Sequence, residues 1–248
     1  MIRNAVLRDM FSDGRKKFAV LIDPDKFPVT DIQAIAESSE KAKVDFLFYG
    51  GSLVMENDHQ KYISTLKQYC SAPVILFLGN QLMIPEDADG LLLLSLISGR
   101  NAEMLIGKHV IAAPFLKTCS FDILPTGYIL VENGHSTAVS YMSNTPSIPS
   151  DQVDIAMCTA IAGEMLGLQL IYIDAGSGAK NPVSLSMIRK VKQNISVPLI
   201  IGGGIRNPKM ATDAAEAGAD IVVVGNAIEE TPSLINEISD AIHSLNKN

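Results

Sequence analysis

The feature that most constrains this chain is an alternation running along its whole length. Short apolar runs are separated by stretches in which apolar residues return every three or four positions. We count eight such runs: Phe18–Ile22, Phe46–Tyr49, Val74–Leu78, Gly90–Leu94, Val110–Pro114, Leu170–Ile173, Pro198–Ile201 and Ile221–Val224. Most are apolar at consecutive positions rather than alternate ones, which is how strands buried on both faces read. A repeated strand-then-helix pattern implies parallel strands joined by crossover helices. The 248 residues suit a (β/α)8 TIM barrel, for which about 250 is typical. An open doubly wound sheet competes, but it would be favoured by a Gly-x-Gly-x-x-Gly after the first strand, and none stands there. The expectation is an α/β fold, one TIM-barrel domain over residues 1–248.

Helix punctuation agrees. Thr30 with Gln33 reads as a capping box ahead of Ile32, Ile35 and Ala36. Asn207 followed by Pro208 sets a cap and a first-turn proline, and Gly218 ends that helix, as Gly167 ends another. An extra segment, Thr118 to Ser150, lies beyond the fifth run. Gly127–Val131 within it is a candidate further strand. Glu132 to Ser150 reads as a long loop serving as lid or wall, because such loops in compact domains usually have a function.

The formal net charge of −7 and the lack of a long basic run argue against nucleic acid as a partner. An acidic chain can still bind phosphate through backbone N–H groups, helix N-termini or a metal ion. Cys70, Cys119 and Cys158 are far apart and read as reduced thiols, so the chain is expected to be cytoplasmic. Its first residues lack the apolar core of a signal peptide. The longest apolar stretch, Leu91 to Ile97, is too short to span a bilayer.

In a barrel of this kind the chemistry sits just after the strands, at their C-terminal ends. Gly202-Gly203-Gly204-Ile205-Arg206 follows the seventh run and Gly225-Asn226 the eighth. Phosphate sites in this fold are frequently built from these two loops; the plain alternative is a pair of tight turns. After the sixth run, Tyr172 and Asp174 share one side of the strand by alternation, and Gly176-Ser177-Gly178 adds a third N–H-rich turn. A carboxylate beside a phosphate cradle suits a base that takes a proton from a substrate hydroxyl; otherwise Asp174 caps a helix or pairs with a lysine such as Lys180. Asp23-Pro24-Asp25-Lys26 follows the first run, and two carboxylates near phosphate suggest Mg²⁺, unless they form a surface turn. Gly50-Gly51-Ser52 could bring a hydroxyl to the same ion. His59, His109 and His243 have no metal spacing, and His135 lies in the long loop.

Seven segments then carry a family resemblance: LIDPDK (Leu21–Lys26), YGGS (Tyr49–Ser52), SLISGRN (Ser95–Asn101), SYMSNTPSIP (Ser140–Pro149), YIDAGSGA (Tyr172–Ala179), GGGIRNP (Gly202–Pro208) and ADIVVVGN (Ala219–Asn226). In this order, over nearly the whole chain, they resemble geranylgeranylglyceryl phosphate synthase and its bacterial relatives of the heptaprenylglyceryl phosphate synthase type. SYMSNTPSIP resembles the second, larger group of that family. The resemblance implies a magnesium-dependent prenyltransferase that joins sn-glycerol 1-phosphate to a long prenyl diphosphate, here geranylgeranyl diphosphate. It implies that Asp23 and Ser52 hold Mg²⁺. It implies that Tyr172, Ile173, Asp174, Ala175, Gly176, Ser177, Gly178, Gly203, Gly204, Gly225 and Asn226 bind the glycerol phosphate, with Asp174 as catalytic base. A homo-oligomer, dimer or hexamer, is implied too, and a lipid product suggests transient contact with a membrane surface.

Two residues depart from the family pattern. Many relatives have Glu where this chain has Asp174, one methylene shorter. Some archaeal members have a basic residue at the position of Leu21, which leaves one phosphate contact missing or supplied elsewhere, as by Arg206. The competing functions are another phosphate-handling barrel enzyme, such as a sugar-phosphate isomerase or aldolase, and a barrel that binds a phosphorylated ligand without turnover. An aldolase would need a Schiff-base lysine inside the barrel, and none lies within the apolar runs.

Overall fold

The computed structural model describes residues 5–51, 58–79, 85, 87–132, 134 and 138–247. Eight strands close into a barrel in chain order, each parallel to its neighbours, with the last pairing to the first. The expected TIM barrel is therefore the observed one. A helix α1 (Ala5–Ser12) precedes β1 (Lys17–Ile22), and α2 (Val29–Lys41) leads to β2 (Phe46–Tyr49). Next come α3 (His59–Tyr69), β3 (Val74–Leu76) and β4 (Gly90–Leu96). A π-helical turn, Glu103–Gly107, runs into α4 (Lys108–Leu116), then β5 (Asp122–Leu130), α5 (Ala138–Ser143) and α6 (Val153–Met165). The chain closes with β6 (Leu170–Asp174), α7 (Leu185–Lys192), β7 (Leu199–Gly202), α8 (Pro208–Ala217), β8 (Ile221–Val224), a short α9 (Asn226–Glu230) and α10 (Leu234–Ser244).

One expected strand is corrected. Val110–Pro114 lies inside α4, and the fifth strand is Asp122–Leu130, which takes in most of the candidate strand Gly127–Val131. The run Val-Ile-Ala-Ala-Pro is β-like in composition, but α4 is apolar nearly all round, so no helical periodicity betrays it. Conversely, β5 contains Pro125 and Gly127, which strands usually avoid. Proline is tolerated because pairing with β6 begins only at Thr126. The Pro125 carbonyl accepts from Gln169 N on that side, so the missing N–H falls just before the ladder starts.

The strands are apolar at consecutive positions because they separate two apolar layers. Phe46, Phe48, Tyr128, Tyr172, Ile200 and Val223 fill the barrel interior. Leu47, Tyr49, Ile129, Ile171, Ile173, Ile201 and Val222 pack outward against the helices. Helix α1 closes the barrel floor: Phe11 stacks on Phe46 at 4.4 Å between ring centroids, and Leu7 is buried with it. Burying a side chain of this size is worth about 1.5–3 kcal/mol. Lys17, an interior residue of the floor, is buried and pairs with Asp13 at 2.9 Å.

Helix ends follow the sequence at α8, where Asn207 Oδ1 accepts from Met210 N at 2.9 Å, Pro208 is the first residue and Gly218 terminates with φ 128°. They do not at α2. That helix begins at Val29 after Pro28, so Thr30 lies inside it and its hydroxyl meets Asp31 instead of a backbone N–H. Proline's preset φ puts the N-cap at Pro28, two residues before the expected cap. The long loop carries α5 and is tied to the barrel by a bridge between Val131 and Ile148. His135 and Ser52 lie outside the described residues. Among the described residues, no helix is long and apolar enough to cross a membrane.

Candidate active site

A cavity of about 440 Å³ opens at the C-terminal ends of the strands. The loops after β1, β2, β6, β7 and β8 all reach it. Of the residues singled out in the sequence, Asp23, Tyr172, Asp174, Gly176, Ser177, Gly178, Gly203, Gly204, Gly225 and Asn226 line it. Ile173 and Ala175 do not: alternation turns their side chains into the outer apolar layer. Any contact they make to a ligand is through their backbone. Ala138 of α5 also lines the cavity, so the long loop does supply part of its wall.

Asp174 closes the inward-facing row of β6 and is nearly buried. Its Oδ1 accepts from Gly176 N at 2.7 Å and its Oδ2 from Tyr128 Oη at 2.6 Å. Burial lifts the Asp174 carboxyl above its ordinary value, against the downward pull of those two hydrogen bonds. Tyr128 and Tyr172 are held well above the usual phenol range by burial and by the Asp174 charge, so both stay protonated. Phe77 stacks on Tyr172 at 5.3 Å, and Tyr128 meets Tyr172 edge-on at 5.5 Å. These rings make a dry wall under the carboxylate.

The glycines of the β7 loop are required by geometry. Gly203 has φ +82°, and a Cβ there would stand 2.7 Å from Asp174 Oδ1. Gly204 has φ +73°, and its Cβ would meet Pro182 N at 2.7 Å. Only glycine permits both the backbone conformation and the close approach. After β8, α9 starts at Asn226 with its first N–H groups directed outward from the helix start, as anion sites need. Asn226 Oδ1 accepts from Gly178 N at 3.0 Å and Ser177 Oγ at 3.2 Å, tying the β6 and β8 loops together.

Charged residues of the rim were less visible in the sequence. Lys26 Nζ lies 3.6 Å from Asp23 and 3.3 Å from Glu229, while Asn226 Nδ2 donates to Glu229 at 3.0 Å. Burial raises both the Asp23 and the Glu229 carboxyls above their ordinary values, only partly offset by Lys26. Glu229 and Tyr128 carried no motif. A correct assignment of β5 with its alternation would have turned Tyr128 inward. Arg206 lines the cavity and donates to Ala179 O at 2.8 Å.

His59 hydrogen-bonds Tyr49, His109 the Leu94 carbonyl and His243 Asp45, so all three have structural partners. Among the described residues, no group of three or more His, Cys, Asp or Glu could hold a metal. The donor chemistry of Asp23 nevertheless fits Mg²⁺. It is a half-buried, under-compensated carboxylate packed against Gly51, the residue before Ser52. Mg²⁺ typically takes one or two carboxylates and fills its shell from water and substrate phosphates.

The comparisons with known proteins agree with this geometry. A family model described as the PcrB family matches residues 12–244. A protein of Spirosoma linguale named geranylgeranylglyceryl phosphate synthase is 51% identical over 98% of this chain and 97% of its own length. One of the same name from Chitinophaga pinensis is 51% identical over 95% and 94%. Among solved structures, (S)-3-O-geranylgeranylglyceryl phosphate synthase of Thermoplasma acidophilum, in complex with its substrate sn-glycerol-1-phosphate, is 33% identical, with TM-score 0.91 over 97% of this chain and 99% of that one.

Proposed function

The chain belongs to the PcrB family, and on that premise we propose that it is a geranylgeranylglyceryl phosphate synthase, joining sn-glycerol 1-phosphate to geranylgeranyl diphosphate through an ether bond. The observation that carries this reading is the placement of Asp174. Its buried carboxylate stands against the glycine loop after β7, in a backbone closely matching that of a synthase holding sn-glycerol-1-phosphate.

The phosphate of the glycerol substrate docks on the loops of Gly203, Gly204, Gly225 and Asn226, where the start of α9 supplies N–H groups. Ser177 and Gly178 close the cradle from the β6 side. With the phosphate fixed, a glycerol hydroxyl faces Asp174. The carboxylate takes the hydroxyl proton as the oxygen attacks the allylic carbon; the bond from that carbon to the diphosphate breaks, and the diphosphate leaves with the electron pair. A carboxyl lifted by burial is better matched to this proton transfer near neutral pH than an ordinary one. Tyr128 and the Gly176 N–H hold the carboxylate in one orientation.

Mg²⁺ bound between Asp23, Ser52 and the diphosphate would stabilise the charge that builds on the leaving group. The role of Asp23 is to present a carboxylate at the rim, backed by the turn it anchors: its carbonyl accepts from Lys26 N and Phe27 N at 3.0 and 3.1 Å.

An aldolase reading loses ground on one residue. Lys17 is the lysine that reaches the barrel interior, and it is paired with Asp13 at the floor, away from the cavity. We further propose a cytoplasmic homo-oligomer that touches the membrane to release its product. Exposed apolar residues support the oligomer, among them Ile106, Val110, Ile111 and Tyr141. Light scattering that returned only monomer, or failure to float with liposomes carrying the donor, would remove these two statements.

The function itself is tested with labelled glycerol 1-phosphate, Mg²⁺ and prenyl diphosphates of several lengths, with glycerol 3-phosphate as control. A labelled lipid that depends on the 1-phosphate isomer is expected, with geranylgeranyl diphosphate as the best donor. No lipid with any donor would leave a silent binder or a different barrel chemistry.

A further inference from the structure

We infer that Lys26 is the counter-ion of the bound phosphate, held in reserve by carboxylates until the phosphate arrives. The inference deepens the reading above and rests on it, since it takes sn-glycerol 1-phosphate as the ligand of this cavity.

The argument begins with charge. Among the described residues, the cavity is lined by the carboxylates of Asp23, Asp174, Glu229 and Glu230 and by two cations, Lys26 and Arg206. A phosphomonoester entering this space meets an excess of negative charge, which a facing cation would offset beside the backbone N–H groups. The Arg206 guanidinium donates to the Ala179 carbonyl at 2.8 Å and serves to pin the loop. Leu21, which lies beneath Gly225 on the β1 side of the cradle, is aliphatic and contributes no charge.

Lys26 has the required position. Its Nζ is 3.2 Å from Ser177 Oγ, and Ser177 Oγ and Gly178 N both meet Asn226 Oδ1. The ammonium therefore stands one hydrogen bond from the two loops that receive the phosphate. Its charge partners are 3.3 Å away at Glu229 and 3.6 Å away at Asp23. These contacts are made by an exposed, flexible side chain and are weak in water. A phosphate dianion can displace them, because lysine binds phosphate as a mobile point charge with three donors. On exchange, Glu229 keeps its hydrogen bond from Asn226 Nδ2, so the α9 start holds its shape while the lysine changes partner.

The test is calorimetric binding of inorganic phosphate and of sn-glycerol 1-phosphate to the whole protein in magnesium-free buffer. Lys26→Ala should weaken both ligands by a similar factor, about ten- to a hundredfold, as expected for loss of a hydrogen bond to a charged group. Lys26→Arg should restore most of the affinity. Glu229→Gln, which frees the lysine and removes one repelling charge, should tighten both ligands, and by a larger factor in the wild-type background than in Lys26→Ala, a difference that a merely structural lysine would not produce. Unchanged phosphate affinity in Lys26→Ala overturns the inference, and so does Glu229→Gln that weakens binding. If Lys26→Ala does not fold, Lys26→Gln, which removes the charge and keeps the length of the side chain, takes its place under the same criteria. If the wild-type protein binds inorganic phosphate but not the glycerol phosphate, the proposed function fails while the comparison on inorganic phosphate still decides Lys26. If it binds neither, both fall.

Discussion

The phenol of Tyr128 donates a 2.6 Å hydrogen bond to Asp174 Oδ2, from β5 to the end of β6. Burial raises the carboxyl, and this bond is the larger of the two hydrogen-bond contributions that restrain the rise. Removing it in Tyr128→Phe should push the carboxyl higher still. The low-pH limb of the kcat profile is expected to move to higher pH, and the fold to lose about 1.5–3 kcal/mol. A limb that stays in place would separate Tyr128 from the base.

Asp174→Asn should uncouple activity from stability. Loss of the base is expected to lower kcat by about 10²–10⁴-fold. Because the folded carboxyl sits above its ordinary value of about 3.9, the native state binds its proton more tightly than the unfolded chain. Its contribution to stability is then full below that value and is lost as pH rises through the folded value. Asparagine cannot ionise, so the variant should melt higher than wild type at pH 7, and the difference should vanish toward pH 4. Thermal melts across that range would show it; a lower melting temperature at neutral pH would contradict the direction assigned to the carboxyl.

Two substitutions near the β7 loop should part affinity from stability. Gly203→Ala forces a side chain onto a left-handed backbone and against Asp174. It is expected to cost about 1–2 kcal/mol from the backbone alone and to weaken glycerol phosphate binding. Asn207→Ala removes only the α8 cap, at about 1 kcal/mol, and should leave affinity unchanged. Equal affinity in both variants would remove the Gly203 loop from the binding site.

Chelation should stop turnover while glycerol phosphate still binds, because the cradle is built from backbone and the ion serves the diphosphate. Asp23→Asn should raise the magnesium concentration needed for half-maximal rate. Turnover that persists in excess chelator would dismiss the ion from the reaction.

Much of this was legible in the sequence because the barrel buries strands from two sides. Leu170 to Ile173 and Ile221 to Val224 read as strands since neither face meets water, and the glycines of Gly202 to Gly204 mark a loop that has to approach another chain segment. What was hidden was hidden for physical reasons. The helix α4 has no polar face to give it a period, so Val110–Pro114 passes for a strand. The true β5 conceals itself behind Pro125, which is permitted only where pairing with β6 has not begun. Losing β5 also hid Tyr128. Lys26 and Glu229 could not be paired from sequence, because their meeting depends on the closure of β8 onto β1 across the barrel seam.

That same closure, with Phe11 lodged under Phe46, makes the barrel a cup and not a tube. Nothing can be fed in from below or drained through the base. Both reactants and both products of the proposed reaction must therefore share one rim, and a headgroup seated against Asp174 would lie under the donor. The assembled lipid leaves past the place its donor occupied, so an idle donor at the rim would trap a finished molecule beneath it. Kinetics should bear the mark of this single doorway, with excess prenyl diphosphate slowing the enzyme that it feeds.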